Sequence, residues 1–351
     1  MTITNIISDL FDRNFLLESP ETEPYAGAGR RPIALSISED VPCVLGVCLM
    51  RESCQIMVAD FNLDSIYEDS FLLDEDENNS KLERKLRAAV QKAIRNCGRK
   101  LFAVGVGTIG PMDRKSGTIL NPVNFKKIHD FNIRQLLEKI TGLPVYMDSA
   151  MSLAALAEHL YGTGHLYRNF MYLGAEKNIG SGCILHSQLL MDEFGISSGI
   201  GHTAIELNGR PCICGNQGCL EAYVSIPVLE EEIQQEFGAK MRWREALETY
   251  IGTPMLDTLL SNTCSILSSA LVNAVNLMSL DAIYLGGEYY FIPEHFLQQM
   301  EEEVNHRILA SGHRSVKILL SAFGDKATLY GSAAQVYDKI FRGEINLFSV
   351  I

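Results

Sequence analysis

One histidine and three cysteines lie close together in the second half of the sequence. The segment GHTAIELNGRPCICGNQGCLEAYVS, Gly201 to Ser225, contains His202, Cys212, Cys214 and Cys219. One imidazole and three thiolates form a ligand set that Zn²⁺ binds in tetrahedral geometry, and four protein ligands leave no position for a catalytic water. Three reduced cysteines in a glycine-rich loop are the alternative, but packing does not explain their proximity. The segment therefore predicts a structural zinc site.

Composition and charge restrict where the protein acts. The chain has 351 residues, nine cysteines and a net charge of −13. Without an export signal, nine cysteines argue against a disulfide framework, and six of them are expected to be buried: Cys43, Cys48, Cys54, Cys97, Cys183 and Cys264. The apolar stretch 258–280 contains asparagines and serines and is expected to be a buried helix, not a membrane span. We expect a cytoplasmic protein whose acidic field repels nucleic acid and membranes.

Strand-like and helical patterns alternate along most of the chain. Residues 41–50 and 54–61 have the composition of paired strands, and residues 101–111 that of a buried strand followed by a turn. Ser80 and Glu83 have the spacing of a capping box, which predicts the start of a helix, and the acidic run LDEDENN before it predicts a solvated loop. This alternation predicts a two-domain α/β protein.

The zinc-binding segment closely resembles the signature of the ROK family, named for repressors, open reading frames and kinases. Three further segments are similar to family motifs: GVGTIGPMDRKSGTILNPVNF, DAIYLGG and GDKATLYGSAAQVY. The resemblance covers about residues 30–340. It implies a two-lobed, actin-like ATPase (ribonuclease-H-like) α/β fold with a cleft between the lobes. Family members bind a hexose in that cleft, and the kinases also bind ATP there.

The two phosphate-binding segments of ROK kinases are altered in this chain. The first, roughly GxDxGGTK in the family, corresponds to GVCLMRESC, so Met50, Arg51 and Glu52 replace the glycines and threonine. A backbone site for phosphate needs glycines and free N–H groups. The second, roughly GTGIGxG, corresponds to EKNIGSG and keeps only part of the motif. ATP is therefore not expected as a cofactor.

The position of the catalytic base is also changed. The family motif NDAN corresponds to SAMS, which places Ala150 where the aspartate that accepts the hydroxyl proton would be. Alanine cannot accept a proton. Asp148 lies two residues earlier and, on a continuing strand, would face the same side as Ala150. A displaced base at Asp148 is therefore the one catalytic possibility that the sequence offers.

The residues that would orient a sugar are partly kept. The resemblance assigns sugar contacts to Asn124, His202 and Glu221, with His202 also binding zinc. A turn residue is the alternative for Asn124, and a helix N-terminal carboxylate is the alternative for Glu221. Gly199 replaces a glutamate of the family motif GExGH, and Ser149 replaces the first asparagine of NDAN.

The N-terminal region favours the repressor branch of the family. Residues 26–37, AGAGRRPIALSI, resemble the GGRRP linker of ROK repressors, and the residues before them resemble the recognition helix and wing of a winged helix-turn-helix. Arg30 and Arg31 are alternatively simple linker charges. The helices that should precede a recognition helix are missing, so the chain is expected either to start inside a longer gene product or to have lost DNA binding. DNA is an expected partner only when those helices are present.

These observations predict three regions and one leading function. Residues 1–32 are a partial winged-helix segment and linker, residues 33–143 an N-terminal lobe joined by the helix 326–351, and residues 144–325 a C-terminal lobe with the zinc segment. The leading interpretation is a ROK transcriptional regulator, or its sensor portion, that binds a sugar or sugar derivative without kinase activity. A sugar kinase that uses Asp148 and a non-catalytic scaffold stay as alternatives. The resemblance also implies a homodimer.

Overall fold

Two five-stranded sheets form the framework of the protein. A computed structural model describes residues 2–19, 33–191, 194–195 and 198–346. The strands are β1 Leu16–Glu18, β2 Leu35–Ile37, β3 Cys43–Leu49, β4 Ser53–Ala59, β5 Ser65–Leu72, β6 Leu101–Thr108, β7 Met112–Asp113, β8 Thr118–Ile119, β9 Phe131–Asn132, β10 Val145–Ser149, β11 Phe170–Ala175, β12 Ile179–Leu185, β13 Gln188–Leu189, β14 Ala282–Gly287 and β15 Lys317–Leu320. The α-helices are α1 Ile3–Asp12, α2 Asn79–Asn96, α3 Ile133–Thr141, α4 Ala150–Leu160, α5 Glu221–Val224, α6 Ile226–Phe237, α7 Trp243–Tyr250, α8 Pro254–Met278, α9 Glu294–Arg307 and α10 Ala327–Phe341.

The first lobe is built on the sheet with strand order β10-β6-β3-β4-β5. The two predicted strands that became β3 and β4 pair antiparallel, with Val47 opposite Ile56. Every residue of β3 is buried, because helices cover both faces of the sheet. Leu45 and Val47 pack in the core beneath α2 and α3, and the alternate residue Val44 packs against α10. The C-terminal helix α10 therefore covers one face of the first sheet.

Strand β10 also belongs to the first lobe, which corrects the predicted boundary at residue 143. Val145 to Ser149 run parallel to β6, with Asp148 opposite Gly107. The apolar residues of β10 extend the core of this lobe, where Val145 and Met147 are buried. The first lobe therefore continues to the end of β10, and the chain passes to the second lobe through α4, which contacts α10, β12 and β11.

The second lobe is built on the sheet with strand order β13-β12-β11-β14-β15. Strands β11 and β14 are parallel and fully buried. Helix α8 has the length and composition of a membrane-spanning helix, but 61% of its most apolar window is buried inside the fold. It packs with α9 and the sheet in a single large core. The predicted buried helix at 258–280 is thus confirmed as a core element.

The N-terminal residues form a helix followed by a two-stranded hairpin. Helix α1 has no buried residue, and the side chains of Ile3 and Ile6 are 77% and 45% exposed. Strands β1 and β2 pair antiparallel, with Leu16 opposite Ile37. The predicted GRRP linker lies outside the described residues.

The start of α2 differs from the sequence prediction. Asn78 is the N-cap, because its side chain accepts hydrogen bonds from the backbone N–H groups of Ser80 and Lys81. The predicted capping box of Ser80 and Glu83 is therefore wrong, since the helix already begins at Asn79. The acidic run before it is also not wholly solvated: Glu77 is buried and its carboxylate lies 2.6 Å from Lys85 Nζ.

Candidate functional site

A cavity of about 340 Å³ lies between the two lobes. The first lobe contributes the β3–β4 turn, the residues after β6 and the start of α4. The second lobe contributes the β11–β12 turn and parts of the predicted zinc segment, including His202 and Glu221. Since each wall belongs to a different sheet, a molecule bound here contacts both lobes.

The four predicted zinc ligands converge beside this cavity. The ligand atoms of His202, Cys212, Cys214 and Cys219 all lie within 4.8 Å of one another. Cys214 Sγ is 3.7 Å from Cys219 Sγ, and Cys212 Sγ is 3.6 Å from His202 Nδ1. A tetrahedral zinc ion with Zn–S bonds of about 2.3 Å separates two sulfurs by about 3.7 Å. The donor set and its spacing therefore fit a four-coordinate zinc ion.

Tight backbone turns bring the cysteines together. The N–H of Cys212 donates to Asn216 O, and the N–H of Gly215 donates to Cys212 O. Gly218 has a positive φ of 71°, and a Cβ there would lie 1.8 Å from Glu206 O. Only glycine fits this position, because a side chain would meet both backbone strain and a carbonyl oxygen. Gly218 thus permits the tight turn beside Cys219 by close backbone approach.

Glu221 follows the last cysteine and is held at the cavity by the opposite turn. Its side chain is 4% exposed. Oε1 accepts from Asn178 Nδ2 and Oε2 accepts from the N–H of Ile179, each at 2.9 Å. Glu221 also begins the short helix α5, so the helix N-terminal alternative describes its backbone position. Its carboxylate nevertheless lines the cavity, where it can accept further hydrogen bonds.

Of the other two predicted sugar contacts, His202 lines the cavity and Asn124 does not. His202 lines the cavity and directs Nδ1 toward Cys212. Asn124 is exposed in a turn, has a φ of 56° and is not among the residues that line the cavity; its neighbour Val123 is. The left-handed conformation is one that asparagine adopts readily, which favours the turn alternative for Asn124.

Ala150 and Asp148 lie on different sides of the chain. Ala150 lines the central cavity and is 1% exposed. Asp148 lines a separate cavity, and its carboxylate accepts a hydrogen bond from the Arg114 guanidinium. The expectation of a shared side assumed a continuing strand, but β10 ends at Ser149 and α4 begins at Ala150. The turn between strand and helix directs Asp148 away from the cavity.

Comparison with known proteins identifies the family. The profile of the ROK family matches residues 45–339. The chain belongs to the ROK family. It is 24% identical over 95% of its length to a xylose repressor from Caldicellulosiruptor bescii, and the match covers 88% of that repressor.

Solved structures confirm the two-lobed fold. A ROK family transcriptional regulator, a homologue of the Escherichia coli Mlc protein, superposes with a TM-score of 0.82 at 19% identity, covering 99% of this chain and 90% of that one. A ROK hexokinase from Thermus thermophilus gives a TM-score of 0.72 at 27% identity, covering 86% of this chain and 100% of that one. The relatives of this ROK protein thus include both repressors and kinases.

In this ROK protein, side chains occupy the turn that corresponds to the first phosphate segment. Met50 is buried against α10. Glu52 lies 2.6 Å from Lys177 and 3.5 Å from Lys126, and these cations hold its pKa low although burial alone would raise it. Arg51 lines the cavity, and the sequence analysis assigned no role to its side chain.

The glycines of the second phosphate segment are used for packing. A Cβ on Gly182 would lie 2.2 Å from Met151 O, and one on Gly180 would lie 2.7 Å from Met151 Cγ. Both glycines therefore allow α4 to approach β12 closely. Their presence needs no phosphate to explain it.

A second cavity, of about 500 Å³, adjoins the first at Glu52, Glu176 and Lys177. Its further charged lining residues are Glu230, Arg242, Arg244, Glu288 and Asp325. Arg244 binds Glu288 at 2.7 Å and Asp325 at 2.8 Å. The cations of this cavity are thus engaged by its carboxylates, which outnumber them.

Glu176, shared by both cavities, has a perturbed carboxyl group. Burial and the nearby Glu288 carboxylate raise its pKa, Arg51 acts in the opposite direction, and the pKa is about 7. Near neutral pH this carboxyl group is therefore divided between its protonated and charged forms. Nothing in the sequence pattern marked Glu176, because its environment arises from residues far apart in the chain.

Proposed function

We propose that this protein is a ROK-family transcriptional regulator, or its sensor portion, which binds a carbohydrate effector and has no kinase activity. The observation that carries the proposal is the cavity wall at Ala150, combined with the direction of Asp148. The position that corresponds to the catalytic base has no proton acceptor, and Asp148 is engaged by Arg114 outside the cavity. General base catalysis requires a group within hydrogen-bond reach of the hydroxyl proton.

The cavity supports carbohydrate binding independently of catalysis. Glu221 offers a preorganised acceptor for sugar hydroxyls, because two bonds from the β11–β12 turn hold its carboxylate in place. His202 lies on the same wall. A sugar between the lobes would shift the equilibrium between their relative arrangements if it binds one arrangement more tightly. Such a shift is a means of signalling to a DNA-binding or partner-binding region.

The phosphate side of the site argues against ATP. A triphosphate placed along the two altered segments would meet Glu52 and Glu176, and its nucleoside would reach the adjoining cavity. The carboxylates of the adjoining cavity repel a polyanion, and its cations Lys177, Arg242 and Arg244 are each paired with one of them. Phosphoryl transfer depends on several positioned cations and on a phosphate cradle. The described residues of the first segment offer the single cation Arg51 and no glycine-rich cradle.

The zinc ion is proposed as a structural cofactor. His202, Cys212, Cys214 and Cys219 would hold it, and four protein ligands would make the ion a cross-link without an open position. In that role the ligands orient the chain on both sides of the cross-link. Cys219 fixes the start of α5, and therefore Glu221, relative to the cavity.

The N-terminal helix and hairpin are proposed to be part of a winged helix. Helix α1 followed by the β1–β2 hairpin is the order expected of a recognition helix and its wing. The exposed Ile3 and Ile6 would pack against helices of the complete DNA-binding unit. We further propose, from the family resemblance, that the protein acts in the cytoplasm as a homodimer.

Calorimetric titration of the zinc-loaded chain tests the proposal. The chain is titrated with a panel of hexoses, pentoses and N-acetylhexosamines, then with MgATP, and ADP is assayed in the same samples. We expect binding of at least one sugar, no heat from MgATP and no ADP. Sugar-dependent ADP formation that Asp148→Asn abolishes would instead establish a kinase with a displaced base. Failure of every sugar to bind would remove the sensor function.

A further inference from the structure

Arg51 presents an unpaired guanidinium to the central cavity. This side chain makes no hydrogen bond or ion pair within the parts of the chain that the structure describes, and its Nε is shielded from solvent. An arginine side chain carries five N–H donors and a permanent charge. Arg51 is half-buried, and a charged group that is partly removed from water without a partner is destabilised, so a counter-ion is the expected partner.

The neighbouring carboxylates do not supply that counter-ion. Glu221 and Glu176 both act electrostatically on Arg51, whose pKa burial lowers. Neither forms an ion pair with it: Glu221 is bound by Asn178 and Ile179, and burial keeps Glu176 partly protonated near neutral pH. Glu52, the next residue in the chain, is taken by Lys177 and Lys126.

We propose that the effector is an anionic sugar derivative whose phosphate or carboxylate group binds Arg51. The proposal rests on the sugar-sensing function above and names its ligand class. Phosphate and carboxylate groups match the planar fork of a guanidinium and accept two parallel hydrogen bonds from it. Arg51 belongs to the first lobe, whereas His202 and Glu221 belong to the second. One molecule with an anionic group and several hydroxyls therefore bridges the two lobes.

The same arrangement disfavours a neutral sugar and a nucleotide. Hydroxyls of a neutral sugar can accept from Arg51 but leave its charge uncompensated. A nucleotide carries several negative charges, whereas the described part of this cavity offers one unpaired cation, Arg51. A nucleotide would also extend toward the carboxylates of the adjoining cavity. A compact ligand with one anionic group fits both the volume of about 340 Å³ and the single unpaired charge.

The test is calorimetry with matched neutral and anionic ligands. The full chain is titrated with D-glucose, D-glucose 6-phosphate and D-glucuronate, with the corresponding xylose and N-acetylglucosamine sets, and with inorganic phosphate alone. In at least one set we expect the phosphate or the acid to bind about tenfold more tightly than the neutral sugar or better. Phosphate and acid members distinguish the two anion types, and either supports the proposal.

Two variants assign the preference to Arg51. Arg51→Met keeps much of the side-chain volume and removes the charge, and we expect it to weaken the anionic ligand about tenfold more than the neutral one. Arg87→Met, on the surface of α2 and outside the cavity, is the matched control and should change neither affinity.

Three results overturn the proposal. A neutral sugar that binds as tightly as its anionic derivatives would refute this inference and leave the sensor function intact. An unchanged preference in Arg51→Met would place the anion elsewhere. Absence of binding by every sugar, neutral or charged, would refute the inference and the proposed function together.

Discussion

The two walls of the central cavity differ in the functional residues that they carry. The wall from the second lobe contains His202, Glu221 and the Cys/His cluster, and hydrogen bonds hold its side chains in place. The wall from the first lobe carries Met50, Arg51 and Ala150 at positions where the resemblance to ROK kinases implies phosphate-binding glycines and a proton acceptor. Under the proposed function, the second wall recognises the ligand while the first wall offers no group that reacts with it, which illustrates that function depends on the site and not on the fold.

The largest expected effect comes from removing a zinc ligand in the second wall. Cys219→Ser should abolish zinc binding and lower the free energy of unfolding by about 3–5 kcal/mol, since metal binding stabilises the folded state. Metal content is measured by atomic absorption and stability by urea denaturation. Cys97→Ala, at the buried C-cap of α2, is the control that should keep its zinc. A zinc-free wild-type protein of unchanged stability would contradict the prediction.

Glu221→Gln tests whether the second wall recognises a ligand. Loss of the charge weakens the hydrogen bonds from Asn178 and Ile179 and removes an acceptor for sugar hydroxyls. We expect a loss of sugar affinity of about 10- to 100-fold, the size of a charge-assisted hydrogen bond. Calorimetry provides the measurement. Glu231→Gln, exposed on α6, should leave affinity unchanged; equal effects of both variants would show that Glu221 has no special role.

Glu176→Gln tests the electrostatics where the walls meet. The folded-state pKa of Glu176, about 7, lies above the ordinary value of 4.5. The protonated carboxyl group therefore stabilises the folded state below pH 4.5, and this stabilisation is lost as the pH rises through 7. The glutamine variant lacks this titration. Relative to wild type, its free energy of unfolding should therefore increase by up to about 2–3 kcal/mol between pH 4.5 and pH 8. Urea denaturation at both pH values measures the difference, and parallel stability curves would show that the group titrates normally.

Ala150→Asp has the smallest expected effect, because we expect no kinase activity to appear. The variant returns a carboxylate to the cavity wall, yet the Met50–Glu52 turn still lacks a phosphate site. An ADP-release assay with sugar and MgATP should stay at background. Sugar-dependent ADP release would show that the first wall can bind phosphates and lacks only a proton acceptor. The two walls would then not differ in their capacity to bind a ligand.

Much of the fold followed from local sequence pattern. Buried strands such as β3 and long helices such as α8 were predictable because apolar periodicity and composition are local signals. Short elements were not: β5, α3 and α7 were not predicted, because each is only eight or nine residues long and gives a short periodic signal.

The site was predictable in its ligands but not in its electrostatics. The four zinc ligands were evident from residue type and spacing, and the structure brings them together. The side on which Asp148 lies depends on where β10 ends, and a strand-to-helix boundary is poorly defined by sequence. The unpaired state of Arg51 and the raised pKa of Glu176 depend on which charges lie nearby and which are already engaged. That information exists only in three dimensions.

Helix α10 has a consequence for how the protein is made. It covers one face of a sheet whose five strands all precede residue 150, and it contributes buried residues such as Ala333 and Tyr337. During synthesis, the first sheet leaves the ribosome long before this helix exists, with an apolar face unprotected. The first lobe therefore completes its folding after the second has been translated. Truncation or ribosome stalling before α10 should yield an aggregation-prone chain even though the whole cleft has already been encoded.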